Sequence, residues 1–466
     1  MNIFASRMEV SKKDILLGLI RDQQPITGRQ QLQLSWLLAL PAILAQISSV
    51  LMQYIDAAMV GHLGANPSAS IGLVSTSTWI FNGFFMAVMS GFSVQVAHRF
   101  GAKDFRNARN VARQGLLSVL LFSCALAAIA VAISGPLPHW LGGSEEIRAD
   151  ASDYFRIYSL FLPIGAVGYT ASAMLQASGN MKVPSILYIG MGVLDVIFNY
   201  LFIYRMDMGV AGAALGTGVA ETITTLISLW YMAFRSGELE IGRGKGSFRP
   251  QEHVLRNAMG ITGPLWLQNL VMRGAYVVST LIVAPLGAVA IAANTFAITA
   301  ESFCYMPGYG LEEAATTLVG QSLGARRRDV ARSFARITIS MAAVMMTILG
   351  VLMYLFAPQI MALLTNDAEV ISLGAKVLRI EAFAETMYAV SMVAYGACVG
   401  AGDTMVPTAL NFCSMWVVRI GLAFLLTPKL GLVGYWIAMC VELNVRGILF
   451  LWHIRGDRWL KKILTP

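Results

Sequence analysis

Charge is what this chain has least of. Asp, Glu, Lys and Arg make up 13 % of its 466 residues, where a soluble domain carries about 25 %. Hydrophobic residues reach 56 %, more apolar surface than a soluble fold of this size can hide, so an ordinary cytosolic enzyme is excluded. The abundance of Leu, Ile, Val and Met excludes intrinsic disorder as well. Cysteine is scarce: Cys124, Cys304, Cys398, Cys413 and Cys440 all lie in apolar stretches without CxxC spacing. They read as small buried hydrophobes, neither a disulfide framework nor a zinc site. The five histidines (His62, His98, His139, His253 and His453) are scattered, so no histidine metal cluster is expected. Lys12, Lys13, Asp14, Arg21 and Asp22 interrupt the first thirty residues, so no cleavable signal peptide is expected. HExxH, a paired-aspartate motif at a helix end and a nucleophile with its base are all missing, which argues against an enzyme. No cofactor is expected.

What remains is an all-α polytopic membrane protein. A spanning helix needs about 20 mostly apolar residues, and twelve stretches qualify: roughly 34–60, 70–97, 111–133, 152–178, 184–204, 210–234, 257–284, 290–319, 334–357, 374–400, 405–427 and 431–453. The glycines Gly209, Gly212, Gly216 and Gly218 suit close helix contact and carry no nucleotide signal. Basic residues cluster on one side of this ladder. They include Arg7 to Arg29, Arg99 to Arg113, Lys182, Arg235 to Arg256 (with Lys245), Arg326 to Arg332, and Arg455 to Lys462 (with Lys461). The opposite side has only Arg148, Arg205 and Lys429. The positive-inside rule then places both termini in the cytoplasm, in the inner membrane if the cell is bacterial. It also explains the net charge of +8 without nucleic acid.

The chain repeats itself. A shift of 223 aligns Pro41 with Pro264, Leu63-Gly64 with Leu286-Gly287, Gly101-Ala102 with Gly324-Ala325, and Arg156-Ile157 with Arg379-Ile380. It continues through Gly179 with Gly402 and Val183-Pro184 with Val406-Pro407. After one deleted residue Gly209 and Gly212 meet Gly431 and Gly434. The expected organisation is an N-terminal segment (1–33), an N-lobe of six spans (34–234), a linker (235–256), a C-lobe of six spans (257–453) and a basic tail (454–466). Six spans per lobe give both copies the same orientation, a parallel repeat of the kind found in transporters. The halves differ chemically: Asp56 corresponds to Ser279, Asp195 to Val418 and Asn199 to Leu422.

Ionisable groups at membrane depth are costly, and each is a functional candidate. Gln46, Ser49, Gln53 and Asp56 recur at spacings of three, four and three, which predicts one stripe facing the bundle. A structural hydrogen-bond stripe between helices is the alternative reading. Asp195 and Asn199 are one turn apart, and Tyr188 lies two turns earlier on the same face. Two aspartates converging in one bundle repel, so such a site can take up a proton or a small cation and release it. In the second half Glu301, Tyr305, Gly308 and Glu312 share a face, with Glu313 beside them. Glu442 and Arg446 are expected to pair at i,i+4. Arg273 and Arg419 are expected to find acidic partners on neighbouring helices. Glu301 and Glu385 stand out as cavity candidates. The 25 methionines fit either core packing or an adaptable apolar cavity.

Several segments together resemble the multidrug and toxic compound extrusion (MATE) family. They are Tyr54-Ile55-Asp56 through His62-Leu63-Gly64, Gln95-Val96-Ala97-His98-Arg99-Phe100-Gly101-Ala102-Lys103, Leu175-Gln176-Ala177-Ser178-Gly179-Asn180 before Pro184, Val193-Leu194-Asp195 through Asn199 to Tyr204, and Gly400-Ala401-Gly402-Asp403-Thr404. The resemblance implies two pseudo-symmetric six-helix lobes alternating between inward- and outward-open states. It also implies antiport of small organic compounds, cationic and amphipathic ones foremost, by a chain acting as a monomer. Asp56 and Asp195 match positions where the DinF-like branch carries coupling carboxylates, and Pro41 matches a proline at which that branch's first helix is thought to bend. The chain departs from relatives at Met191, where some carry Asn, and at Met272 and Arg273, where the NorM-like branch is acidic. The tenth-span acid of that branch falls near Tyr388, a turn from Glu385. Coupling is therefore expected in the N-lobe, at Asp56, Asp195 and Asn199, with H⁺ favoured and Na⁺ at Asp56 and Asp195 as the alternative. A lipid-linked oligosaccharide flippase of the same superfamily is the competing reading. It calls for a cationic cavity, which these spans do not supply.

Overall fold

The computed structural model describes residues 11–244 and 246–460. Of the basic residues named above, Arg7, Lys245, Lys461 and Lys462 lie outside the described residues. A short helix α1 (Lys12–Arg21) comes first. The N-lobe follows with α2 (Gly28–Gly61), α3 (Ala65–Gly101), α4 (Phe105–Ile133), the single turn α5 (Leu137–Trp140), α6 (Glu145–Ala177), α7 (Lys182–Asn199) and α8 (Gly209–Phe234). The C-lobe has α9 (Glu252–Val283), α10 (Ala288–Gly324), α11 (Arg328–Leu364), α12 (Ala368–Glu381), α13 (Glu385–Gly400), α14 (Met405–Phe412), α15 (Gly421–Leu430) and α16 (Leu432–Arg455). Among the described residues eleven helices are long and apolar enough to span a membrane, π-helical stretches included. A twelfth span is formed by α12 and α13, bent by 58° at their junction.

Local chemistry sets the helix ends. Thr27 opens α2 with a capping box: its hydroxyl accepts the Gln30 N–H, and the Gln30 side chain accepts the Thr27 N–H. Left-handed backbone positions recur under the sequence shift, as Gly64 with Gly287, Lys103 with Arg326, Gly179 with Gly402, and Gly209 with Gly431. Such conformations are uncommon, and for non-glycine residues especially so, so their recurrence shows that the repeat is structural. The lobes diverge in the fourth span. Here α6 runs unbroken through Pro163, whereas its counterpart is split into α12 and α13. Both fifth spans carry a π-helical stretch, Tyr200–Arg205 and Cys413–Ile420.

The lobes meet along two equivalent seams, α2 against α10 and α3 against α9. At the basic end α3 and α10 cross closely enough that a side chain on Gly101 would run into the Gln321 carbonyl, and one on Gly324 into the His98 carbonyl. His98 Nε2 lies 2.8 Å from the Gly400 carbonyl, and Gln321 donates at 2.8 Å to the Ala177 carbonyl. Each of these contacts is the other's image under the 223-residue shift. Below the crossing lies α1. Its Leu16, Leu17 and Ile20 are buried in a core shared by α2 and the C-lobe helices, each such side chain stabilising by roughly 2 kcal/mol. Arg21 spans the two lobes, donating to the Ser178 carbonyl and to Gln321 Oε1, both at 3.0 Å, above the Phe100 ring. Burial brings its guanidinium down to about 10, still far above neutrality. Arg327 donates to the Gln24 carbonyl at 2.6 Å, and Lys103 pairs with Asp22.

Candidate functional site

Asp56 sits near the end of α2 away from the basic residues, while Asp195 and Asn199 close α7 immediately before the π-helical turn. Asn199 Nδ2 donates to Asp56 Oδ1 at 3.1 Å. The Asp56 and Asp195 carboxyl groups adjoin each other, and Thr217 of α8, whose hydroxyl donates to the Ala213 carbonyl at 3.2 Å, lies beside Asp195. Asp195 and Asn199 are each 2 % exposed. Asn199 Oδ1 and Asp195 Oδ1 have no protein partner. Only glycine at position 216 lets α8 approach, since a side chain there would strike Asn199. Asp195 is buried and Asp56 half-buried, and with no basic partner among the described residues two such adjoining carboxyl groups cannot both be ionised cheaply. Taking up a proton or a small cation relieves that repulsion.

Further along α7, Tyr188 and Met191 line a small N-lobe cavity of about 30 Å³ with Tyr169, Ser172, Glu221 and Thr225, room for about one water. The Tyr188 and Tyr169 rings are 5.7 Å apart. Glu221 was not singled out in the sequence. Its signal was a carboxylate inside the sixth span, masked by the glycine-rich run before it.

The stripe expected along α2 is only partly inward. Gln46 donates at 2.9 Å to Glu313 of α10, and Asp56 meets α7. Ser49 and Gln53 are exposed, which corrects the expectation that all four face the bundle. Ten residues of helix turn about 80° short of three full rotations, so Gln46 and Asp56 address different neighbours. Pro41, inside α2, leaves that turn without an N–H to donate.

Within the C-lobe Glu442 is clamped between Arg419 (2.8 Å) and Arg446 (2.6 Å), as the spacing predicted. Arg273 has no acidic partner among the described residues. It lies 5.0 Å over the Trp79 ring of the other lobe, because the interlobe seam brings an aromatic face to it and no carboxylate. Glu301 and Glu385 are buried inside the C-lobe, away from the interlobe cavity. Glu381 and Glu385 flank the α12–α13 break, and their carboxylate oxygens have no hydrogen-bond partner.

Between the lobes lies a cavity of about 550 Å³. Trp79, Asn82, Met86 and Met89 line it from α3, Gln176 from α6, and Asn269, Arg273, Tyr309, Glu312, Glu313 and Tyr395 from the C-lobe. Glu313 accepts from Gln46 at Oε1 and from Gln176 at Oε2, each at 2.9 Å. The sequence flagged the acid pair and Gln46 but gave Gln176 no role beyond the Leu175–Asn180 segment.

At the basic end Cys398, Asp403 and His453, which the sequence scatters, come together. His453 Nε2 is 2.8 Å from Asp403 Oδ2. The N-lobe equivalents, Asn180 and Tyr231, bond at 3.1 Å. The pair thus does the same helix-pinning work in both lobes, with or without titratable groups.

The profile of the MatE family matches residues 41–201 and 264–425, one stretch in each lobe. Curated relatives include a "Probable multidrug resistance protein NorM" of Thermotoga maritima, 26 % identical over 92 % of this chain and 93 % of that protein. Another is "Multidrug resistance protein MdtK" of Yersinia enterocolitica, 26 % identical over 91 % of this chain and 94 % of that protein. Among solved structures, an outward-facing multidrug resistance MATE family transporter superposes with a TM-score of 0.88 at 22 % identity, over 96 % of this chain and 99 % of that one. A MOP superfamily transporter from Pyrococcus furiosus gives 0.87 at 21 % identity, over 96 % and 98 %. These likenesses establish the fold.

Proposed function

The chain belongs to the MatE family, and from that premise we propose that it is a secondary active efflux transporter and no enzyme. It exchanges amphipathic organic compounds, cationic ones foremost, for protons by alternating access. The observation that carries this reading is the bond from Asn199 to Asp56 beside the buried Asp195. With Asp56 charged, the Asn199 amide and the carboxylate hold α2 against α7. Protonation of Asp56 removes the charge that the amide stabilises and loosens this contact. Then α2 can bend at Pro41, where no backbone N–H ties the turn, and Gln46 on the same helix is pulled from Glu313. Proton uptake and substrate retention thereby oppose each other, as antiport requires.

H⁺ is favoured because two adjoining carboxyl groups without a basic partner among the described residues share a proton readily. Na⁺ held by the oxygens of Asp56, Asp195 and Asn199 is the second reading, favoured by the unpartnered Asn199 Oδ1 and Asp195 Oδ1. The basic end faces the cytoplasm by the positive-inside rule, in the inner membrane of a bacterial cell, and one chain holds the complete site. The lone guanidinium of the interlobe cavity, Arg273, weighs against the flippase reading, because a pyrophosphate needs a cationic lining. Ethidium efflux under separately imposed gradients tests the proposal. A pH gradient alone in sodium-free proteoliposomes should drive it, and strict dependence on a sodium gradient at constant pH would overturn it.

A further inference from the structure

Glu221 is a carboxylate at membrane depth that the exchange described above leaves without a task. It extends from α8 into the small N-lobe cavity of about 30 Å³ and makes no hydrogen bond or ion pair through its side chain among the described residues. The backbone of α6 is shaped to receive this part of α8. A side chain on Gly165 would press on the Glu221 carboxylate, and one on Gly168 would run into the Thr225 hydroxyl. Further along α8 the Ser228 hydroxyl is buried in the same cavity, with no hydrogen-bond partner among the described residues. The titratable groups around Glu221 are Tyr154, Tyr158 and Tyr169 of α6 with Tyr188 and Asp195 of α7. Among the described residues no basic side chain lines the cavity. Glu221 therefore has no structural ion pair to hold, and carboxylates at this depth mark proton relays.

Position along the helix supplies the task. Thr217 lies beside Asp195, and Thr217, Glu221, Thr224, Ser228 and Tyr231 follow one another at spacings of four, three, four and three, on one face of α8. That face covers about 21 Å of helix and finishes at the basic end, where Asn180 donates to the Tyr231 hydroxyl. The C-lobe has no such row: in the register of the repeat Thr217, Glu221 and Ser228 meet Met439, Leu443 and Phe450. The row thus occurs only in the lobe that carries the Asp56–Asp195 pair. We infer that Glu221 and the Ser228 hydroxyl carry the coupling proton from Asp195 to the basic end, inside the N-lobe and apart from the cavity between the lobes. The inference rests on the proton-exchange reading above and adds its route. The Asp195 carboxyl gives up its proton past Thr217 and is left as a carboxylate. The Glu221 carboxylate takes that proton up and passes it on through the cavity, which has room for about one water. Ser228 accepts a proton at its oxygen as it releases its own toward Tyr231, and Glu221 is again a carboxylate. One proton has crossed and no other bond has changed.

The test uses the purified full chain in sodium-free proteoliposomes that hold the pH dye pyranine, with an ethidium gradient imposed and no pH gradient. Wild type should move protons against the ethidium flow. Glu221→Gln should slow this counterflow by about tenfold or more, since a positioned carboxyl group speeds proton transfer by orders of magnitude. Glu221→Asp should keep most of it. Ser228→Ala removes a buried hydroxyl that has no partner, a change that does not cost stability. Its Tm in detergent should therefore not fall, while its proton counterflow drops several-fold. A merely structural hydroxyl would leave the counterflow untouched, and this readout stands even if Glu221→Gln fails to fold. The inference is overturned if a folded Glu221→Gln, or Ser228→Ala, carries protons at the wild-type rate. Failure of the export reading looks different: wild type itself then moves no protons against ethidium.

Discussion

The carbonyl of Gln321 fills the space in which a side chain on Gly101 would begin, and the carbonyl of His98 does the same at Gly324. The two glycines are images of each other under the internal repeat, and they let α3 and α10 cross backbone to backbone at the basic end. Gly101→Leu or Gly324→Leu should force the crossing apart. A loss of about 1–3 kcal/mol, typical of overpacking, should appear as a lowered Tm in detergent. Each variant should act alone, since each breaks one half of the pair.

Arg21 ties the first helix to both lobes through the Ser178 carbonyl and Gln321 Oε1. Hydrogen bonds to a charged donor contribute about 1.5–3 kcal/mol when buried. Arg21→Gln should therefore lower the Tm, whereas Lys12→Gln, an exposed position on the same helix, should leave it unchanged. Equal effects of the two would show that α1 is held by its apolar face alone.

Glu442 pairs with both Arg419 and Arg446 inside the C-lobe. Removing it leaves two buried guanidinium groups short of a counter-charge, and breaking buried pairs in this way costs about 3–5 kcal/mol. Glu442→Gln should be among the most destabilising single changes in the protein by thermal unfolding. Wild-type stability would mean that water reaches the arginines.

Much of this was legible in the chain because it depends on features local to one helix or repeated along it. Twelve apolar stretches, the 223-residue register and the spacing of Asp195 with Asn199 are properties of single helices, and the structure places Asp56 beside that pair. What the sequence could not supply depends on the angle at which helices cross. The partner of Gln46 is Glu313, 267 positions away, and that of Arg273 is the Trp79 ring. The stripe on α2 splits between two neighbours because 3.6 residues per turn carries it around the helix. The break between Glu381 and Glu385 has no image in α6, so the repeat gave no warning of it. The docking of α1 had only a short apolar run, Ile15 to Ile20, to announce it, and three of its side chains are buried.

Asn199 is the amide donor at the Asp56–Asp195 pair proposed to couple transport, and its own Oδ1 has no partner among the described residues. Asn199→Ala removes the bond to Asp56 without removing either carboxylate. Proton-driven efflux should fall several-fold, in keeping with a lost charge-assisted hydrogen bond, and its pH dependence should move. Asn199→Asp should give a different profile again by adding a third carboxyl group. An unchanged rate and profile in Asn199→Ala would remove it from the site.

The central claim is that Asp56 and Asp195 together carry the coupling proton. It is tested most directly by transport in proteoliposomes containing wild type, Asp56→Asn or Asp195→Asn, with a pH gradient imposed in sodium-free buffer. The account predicts that wild type accumulates ethidium against its gradient, while each variant inserts and folds but only equilibrates it. Full uphill transport by either purified variant would contradict it.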